Sequence, residues 1–422
     1  MLLRQFTVVD PASPHNGRRV DLRTAADGTI TEVGEGLEPA AGERVVEETG
    51  GCAAPGFVDV GAYLGEPGHE ERGDVDDLVA AARAGGYVAV ATLPNTDPVR
   101  QSAADLAFLA GRSAGSPVEL LPIAALSKDT AGRDLTDMLE LAGLGARLFG
   151  DGPGHPPGAS LLRRGLEYGR AAGARILSTP YDPALSPEGQ VHEGPVSTRM
   201  GLRGIPVLSE TVPLYRDLQL AAYTGGALVV HLLSSAAGVG LLRGGGAAGA
   251  ENIWATVSAH HLQFTVDEVE GFAGAFKLLP PLREAGDRAA LRAAVADGTI
   301  DVIVSNHQPR DEEETNLEFA YAAFGARGLE TAFRQCLGLA SEELPLARLV
   351  HCFSHGPRAL LGLPPAHIAA GQPCPLTLFT TGDPRPVTAA DLRGRTRNSP
   401  LLGRDLPGRI LGTVTRGTFH PA

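Results

Sequence analysis

The sequence lacks the features of a membrane or secreted protein. It has no apolar run of about 18 residues, so no membrane-spanning helix is predicted. Its first twenty residues, MLLRQFTVVDPASPHNGRRV, lack the long apolar segment and the cleavage site of a signal peptide. We therefore expect a cytoplasmic protein without a membrane partner.

Several common functional motifs are also missing. The four cysteines (Cys52, Cys336, Cys352 and Cys374) show no C-x-x-C spacing, which favours reduced thiols over a disulfide framework. Neither G-x-S-x-G nor G-x-x-x-x-G-K-[ST] occurs, so a serine-hydrolase elbow and a phosphate loop are not indicated. The net charge of −13 gives little support to a nucleic-acid partner.

Both ends of the chain have the pattern of short strands. Within the first fifty residues RQFTVVD, RRVDLRT, GTITEVG and ERVVEET alternate apolar and polar positions, and PLTLFTT and GRILGTVTRGTFH do so near the other end. These segments predict one small β module built from residues 1–54 and 366–422.

The middle of the chain, residues 55–365, alternates apolar runs with helical segments rich in Ala, Leu and Arg. Eight runs have the length of buried parallel strands: GFVDVGAYL, YVAVATLPNT, ELLPIAAL, ARLFG, ARILSTP, ALVVHLLS, IWATVSAHHL and IDVIVSNHQP. Eight such repeats predict an α/β protein with a (β/α)₈ barrel, while an open doubly wound sheet is the alternative. We expect residues 241–252 to form a loop after a helix, and residues 307–331 to form a long loop that covers the site.

Several segments, in this order, resemble the type I dihydroorotases of the cyclic amidohydrolase superfamily. They are APGFVDVGAYLGEPG, AGGYVAVATLPNTDPV, PPLR, DGTIDVI, FGARGLET, GPRALLGLP and RNSPLLGRDLPGRI. The resemblance implies a barrel with zinc at its mouth, where the metal activates a water that attacks a cyclic amide. It also implies an Asp that transfers protons, and an Arg and an Asn that hold the substrate carboxylate.

The residues at the family's first-strand site positions do not carry this chemistry. Gly61 and Tyr63 stand where the resemblance implies the two histidines of His-x-His, and Gly65 stands where it implies the Arg. Glycine offers no ligand, and tyrosine is a poor substitute for imidazole at zinc.

The later strands show the same replacement. Asp151 stands where the resemblance implies a bridging acid or a carboxylated lysine, and neither of the two lysines, Lys128 and Lys277, lies there. Thr179 and Leu232 stand at two further histidine positions, and Asn306 replaces the catalytic Asp. The neighbouring His231 is offset by one residue, so we expect its side chain to face the other side of the strand.

Some polar residues remain as candidates. Asn95, in the turn PNT, and Arg310 are residual candidates for substrate binding, although Asn95 could simply cap its turn. We expect no catalytic residues and no metal. The candidates for a rearranged zinc site are Asp59, Asp151, His231 and His307, with a hydrogen-bonding role favoured for Asp59 and a buried or interface role for His231.

These replacements lead to three hypotheses. The first is an inactive dihydroorotase homologue that forms an oligomer as a structural partner of aspartate carbamoyltransferase, which the family resemblance implies. The second is an active zinc-dependent dihydroorotase, or a related cyclic amide hydrolase, with a rearranged site. The third is a protein that binds a small carboxylated pyrimidine without chemistry through Asn95, Asn306 and Arg310.

Overall fold

Parallel strands form a barrel in the middle of the chain, as predicted. The computed structural model describes residues 1–244 and 252–422. The eight expected runs all become barrel strands, and neighbouring strands in sequence order pair in parallel. Their bounds are Phe57–Ala62, Tyr87–Thr92, Glu119–Ala124, Leu148–Phe149, Arg175–Ser178, Leu228–Val230, Ile253–Ser258 and Val302–Val304.

Side-chain and backbone bonds connect the first and eighth strands of the barrel. The Asp59 carboxylate accepts hydrogen bonds from the Ser305 amide (2.7 Å) and the Ser305 hydroxyl (2.6 Å). The Tyr63 amide donates to the carbonyl of His307 (2.8 Å). The (β/α)₈ architecture is therefore confirmed, and the favoured hydrogen-bonding role of Asp59 agrees with these contacts.

The barrel strands separate two apolar layers. In the first strand Val58 and Val60 pack inside the barrel, together with Val229 of the sixth strand. Phe57 packs outside, against the helices. Successive strand residues face opposite sides, which explains why buried strands on both faces read as continuous apolar runs.

Helices surround the barrel, and their first turns are capped by local polar residues. Asp74 and Ser102 each accept a hydrogen bond from the backbone three residues later, which satisfies free N–H groups. The α-helices in the described residues are Val75–Ala84, Ala103–Arg112, Met138–Gly143, Ala159–Ala172, Pro195–Met200, Leu208–Thr224, Ala236–Gly244, Ala259–Gln263, Ala285–Ala296, Glu312–Thr315, Ala332–Leu337, Leu346–Phe353 and His355–Leu361. Short 3-10 helices span Glu70–Arg72, Lys128–Thr130, Pro183–Leu185, Val266–Val269 and Gly274–Phe276.

Strands from both ends of the chain share a nine-stranded sheet. Leu376–Thr380 pairs antiparallel with both Gly51–Pro55 and Arg409–Thr415, which joins the two ends. The other strands are Leu2–Val8, Arg19–Thr24, Thr29–Gly34, Val45–Glu47, Gln372–Pro373 and Thr418–Pro421. The domain limits at residues 54, 55, 365 and 366 stay a prediction.

A loop segment after the fifth strand (residues 191–205) and a part of the C-terminal segment (residues 385–406) pack together at the mouth of the barrel. Val191–His192 and Gly204–Ile205 form a small parallel pair, and Arg385–Pro386 and Asp405–Leu406 form an antiparallel one. Val387, Leu392 and Leu401 pack in one apolar cluster with side chains of residues 191–202 and 264–282. Part of the C-terminal segment therefore lies against barrel loops and not in the nine-stranded sheet.

Other sequence expectations concern single segments. Most of the predicted loop at 241–252 lies outside the described residues, and its first residues end the helix Ala236–Gly244. All four cysteines are buried and unpaired. Among the residues that the structure describes, no helix is both long and apolar enough for a membrane span.

Candidate functional site

Gly61, at the end of the first barrel strand, lies against the ring of His231. A Cβ atom built on Gly61 would lie 2.5 Å from Nε2 of His231, and the backbone of Gly61 has a φ of +87°. Because the first and sixth strands are not neighbours, this contact crosses the inside of the barrel. A histidine at residue 61 would therefore collide with the ring that already fills this space.

His231 faces the inside of the barrel, so the expectation that its side chain faces the other side of the strand is wrong. Val229 and His231 both point inward, as alternation along one strand requires. Regular alternation then ends, because Leu232 has a φ of +60° and also packs inside. A one-residue offset would reverse the direction of the side chain only if the strand continued through Leu232. The strand ends at Val230.

Burial keeps the His231 ring neutral and leaves one nitrogen without a partner. Nδ1 lies 2.9 Å from the hydroxyl of Thr256, which also accepts from the Leu232 amide. Nε2 has no hydrogen-bond partner among the described residues. Burial lowers the pKa of His231 to about 3. A neutral imidazole can bind a metal, but this one contacts Gly61, where the family would have a second ligand.

The position of Gly65 cannot hold the expected arginine. A Cβ atom on Gly65 would collide with the carbonyl oxygen of His69 and lie 2.5 Å from that of Gly73. The His69 amide donates to the Gly65 carbonyl (2.7 Å), so the loop folds back on itself here. Backbone atoms therefore occupy the space that a side chain at residue 65 would need.

Tyr63 is part of a charged cluster at the mouth, which we call the Tyr63 cluster: Tyr63, Arg72, Arg310 and Glu314. Arg72 donates to the Tyr63 hydroxyl (2.9 Å) and makes two hydrogen bonds to the Glu314 carboxylate (2.9 and 2.8 Å). The guanidinium carbons of Arg72 and Arg310 lie 5.8 and 5.7 Å from the centre of the Tyr63 ring. Arg310 also contacts Glu314 (3.3 Å). These contacts hold the segment after the eighth strand over the mouth.

Lys277 binds the same covering segment through contacts with its backbone. Its buried ammonium donates to the carbonyl oxygens of Phe319 (2.6 Å), Ala320 (3.2 Å) and Ala322 (2.7 Å). It also lies 5.0 Å from the centre of the Phe324 ring. The expected covering role of residues 307–331 agrees with these contacts and with those of the Tyr63 cluster.

Asp151 bonds to a neighbouring loop. It accepts from the Ser127 amide (2.9 Å) and the Ser127 hydroxyl (2.5 Å). Burial raises the pKa of Asp151, while the bonds from Ser127 act against that rise. The side chain therefore links the loops after the third and fourth strands.

The other positions singled out from the sequence are buried: Thr179, Leu232 and Asn306. Asn306 has a φ of +49° and accepts a hydrogen bond from the Gln308 side chain (2.9 Å). The hydroxyl of Thr179 is buried without a partner among the described residues. Leu232 packs in the apolar interior of the barrel. These three side chains carry a hydroxyl, an aliphatic group and a neutral amide. None of them is an imidazole or a carboxylate.

The two residual substrate-binding candidates contact different parts of the protein. The Asn95 side chain donates to the Asp151 carbonyl (2.9 Å) and packs against Gly152. Arg310 donates to the Phe324 carbonyl (2.9 Å), in addition to its contacts in the Tyr63 cluster. Tyr63, Arg72, His307 and Arg327 line a cavity of only about 10 Å³ at the mouth. That volume has room for about one water molecule.

The four candidates for a rearranged zinc site have separate partners. His307 accepts hydrogen bonds at Nδ1 from the amides of Gly328 and Leu329 (both 3.3 Å). Asp59 is bonded to Ser305, Asp151 to Ser127, and His231 contacts Thr256 and Gly61. Within residues 1–244 and 252–422, no group of three or more His, Cys, Asp or Glu side chains could hold a metal ion. A zinc ion needs about four ligands, so the donors of the described residues do not fit it.

Sequence reasoning missed three residues that shape this region. Arg72 and Glu314 were not singled out, because their contact joins residues 242 positions apart in the chain. Lys277 enters the sequence analysis only as a lysine that lies away from the fourth-strand site position. The acidic run DEEET in the covering loop was the one available signal, since an acidic segment over a barrel mouth needs cationic partners.

Known proteins resemble this chain over nearly its whole length. A family model described as "Dihydro-orotase-like" matches residues 50–237. A dihydroorotase of Anaeromyxobacter dehalogenans is 38% identical over 415 residues, which cover 97% of this chain and 95% of that protein. A dihydroorotase of Pelobacter propionicus is 34% identical over 420 residues, covering 99% and 98%.

A solved structure gives the same fold. The L-hydantoinase (dihydropyrimidinase) from Arthrobacter aurescens superposes with a TM-score of 0.85 at 20% identity, covering 99% of this chain and 95% of that one. At this level of identity the likeness is one of fold, a (β/α)₈ barrel joined to a sheet made from both ends of the chain. At 38% identity over nearly its whole length, this chain belongs to the dihydroorotase family.

Proposed function

We propose that this protein is a dihydroorotase-like member of pyrimidine biosynthesis that lacks hydrolase activity and serves as a structural partner subunit of aspartate carbamoyltransferase. The observation that carries the loss of activity is the contact between Gly61 and His231. One ligand position has no room for a side chain, and the ring beside it has no second ligand nearby.

Two further observations support an inactive site. Backbone oxygens exclude a side chain at Gly65, so the arginine that would hold a substrate carboxylate has no place. The Tyr63 cluster lies at the mouth, where a small cavity lined by Tyr63, Arg72, His307 and Arg327 has room for about one water.

Asn95, Asn306 and Arg310 all bond to other groups of the protein. This gives little support to a pyrimidine-binding protein, so we expect no thermal shift with orotate, dihydroorotate or carbamoyl aspartate.

Zinc content and turnover test the loss of activity. Protein expressed in zinc-supplemented medium should contain less than about one-tenth of an equivalent of zinc, because the chain supplies too few donors. It should not turn over dihydroorotate. The dihydroorotase of Anaeromyxobacter dehalogenans, purified in parallel, is the positive control for turnover. Stoichiometric zinc together with turnover would establish the alternative, an active cyclic amide hydrolase with a rearranged site.

Co-migration with aspartate carbamoyltransferase tests the partnership separately. The family resemblance supports it, since a scaffold without its catalytic groups can still serve assembly. Mixed with the transcarbamoylase of the same organism, the protein should elute from a sizing column in one larger species. Bovine serum albumin in place of the transcarbamoylase is the control. Elution of the two proteins at their separate positions would refute the partnership and leave the prediction on zinc untouched.

A further inference from the structure

A second concave site lies at the end of the barrel opposite the mouth. This cleft has a volume of about 650 Å³ and lies between the starts of two barrel strands and the nine-stranded sheet. Val88 and Glu119 line it from the second and third strands, residues 113–118 from the loop between them, and Pro373 and Thr415 from the sheet. Its volume falls in the range of small-molecule sites.

The largely buried side chain of Arg358 lines this cleft and forms no ion pair with the described residues. Arg358 is 8% exposed and lies in the helix His355–Leu361. Among the described residues its side chain makes no hydrogen bond and no ion pair, and its Nε atom is fully buried without a partner. A buried charge is unfavourable unless it is paired, so this arrangement calls for an anion.

The other charged residues of the cleft form no ion pair with Arg358. Burial lowers the pKa of Arg358, and the attraction of Glu119 only partly offsets this effect. Asp27, Glu119 and Arg416 also line it, and all three are exposed. The Asp27 carboxylate already accepts a hydrogen bond from the Thr29 amide (2.8 Å). Among the ion pairs within 4.0 Å that the described residues form, none involves Arg358. Charges exposed at the rim are screened by solvent, whereas the Nε atom of Arg358 is fully buried.

The walls around Arg358 are mostly apolar. They include Leu120, Leu363 and the prolines at residues 364, 365, 373 and 375. A ligand that complements both features has an apolar body and one anionic group. We propose that this cleft binds a small amphipathic organic anion, with Arg358 pairing its carboxylate, sulfonate or phosphate group.

Octanoate and its neutral amide form a matched pair of probes. By isothermal titration, octanoate should bind the full-length protein about tenfold more tightly than octanamide, because a charge-assisted hydrogen bond contributes about that much. Octanoate should also raise the melting temperature. Equal binding of the two probes, or no binding of octanoate, would overturn the proposal.

Substitutions of Arg358 test whether octanoate binds in this cleft. In R358M the preference for octanoate over octanamide should disappear, while the ligand-free melting temperature stays unchanged or rises because an unpaired buried charge is removed. R358K should keep part of the preference. A lower melting temperature for ligand-free R358M, or unchanged octanoate binding, would show that Arg358 has a structural role instead.

A blocking substitution checks the location without altering Arg358. Ala114 is exposed and lines the cleft, so A114W should weaken octanoate binding by about tenfold or more. Ala107, exposed on the preceding helix, lines a neighbouring groove and not this cleft. A107W is therefore the control and should bind octanoate as the unaltered protein does. Equal affinities of A114W and A107W would place the ligand elsewhere and refute the proposal.

Discussion

The ring of His231 occupies the space that a side chain at residue 61 would need. The ring of His231 reaches across the barrel to the position where a side chain at residue 61 would begin. Glycine is also the residue that tolerates the φ of +87° found there. Glycine at residue 61 therefore makes room for the histidine.

The substitution Gly61→Ala tests this steric contact. It should lower the free energy of unfolding by about 3 kcal/mol, from overpacking against His231 and from the positive φ. In the His231→Ala background the cost should fall to about 1 kcal/mol, the backbone part alone. Equilibrium unfolding in urea measures both values.

Gly17 supplies the control for the backbone contribution. Its φ is +77°, and a Cβ built there meets no atom within 4 Å. Gly17→Ala should therefore cost about 1 kcal/mol. Equal costs at residues 61 and 17 would contradict the proposed collision with His231.

At the scale of elements, the segment after the eighth strand is held over the mouth by two sets of contacts. The Tyr63 cluster binds its start through Glu314 and Arg310. Lys277 binds its middle through three carbonyl oxygens. Carbonyl groups of a non-helical segment need donors when they are buried, and the ammonium supplies them.

Lys277→Met should loosen this segment. It removes the donor of three charge-assisted hydrogen bonds and leaves two buried carbonyls without their partner, at a cost of about 3 kcal/mol. Hydrogen exchange of residues 312–324 should become faster than in the unaltered protein, while the barrel strands keep their protection.

The other lysine of the chain is a matched control. Lys128 is exposed in a short 3-10 helix after the third strand. Lys128→Met should leave both the exchange of residues 312–324 and the free energy of unfolding nearly unchanged. Similar effects of the two substitutions would show that loss of positive charge, and not the carbonyl contacts, is responsible.

At the scale of the whole molecule, buried titratable groups make stability depend on pH. Burial lowers the pKa of His231 to about 3, and those of His260 and His261 to about 4. In the unfolded chain the pKa of histidine is about 6.5. Between pH 6.5 and about 4 the unfolded chain therefore binds protons that the folded protein does not, so stability falls as pH decreases through this range.

The buried carboxyl of Asp59 acts in the opposite direction. Burial raises its pKa to about 6, so protonation below that pH favours the folded state. The three histidines outweigh this single group. From pH 7 to about 5.5 we expect these four groups together to lower the free energy of unfolding by about 3 kcal/mol.

Urea unfolding at the two pH values measures this loss. His260→Gln should reduce the loss by about 1 kcal/mol, the share of one histidine. The exposed His155 provides the control, because His155→Gln should leave the loss unchanged. A pH-independent free energy of unfolding would contradict the assignment of neutral buried histidines.

The sequence by itself determined the barrel, its eight strands and the β-rich ends of the chain. Each barrel strand coincides with an apolar run that can be recognised without knowledge of distant residues. It also led to the prediction that the family's site residues are replaced, since residue types at aligned positions need no coordinates. The tertiary structure decided where His231 points and which groups cover the mouth. Those outcomes depend on contacts such as Arg72 with Glu314 and His231 with Gly61, which join distant parts of the chain. Local periodicity carries no information about such contacts.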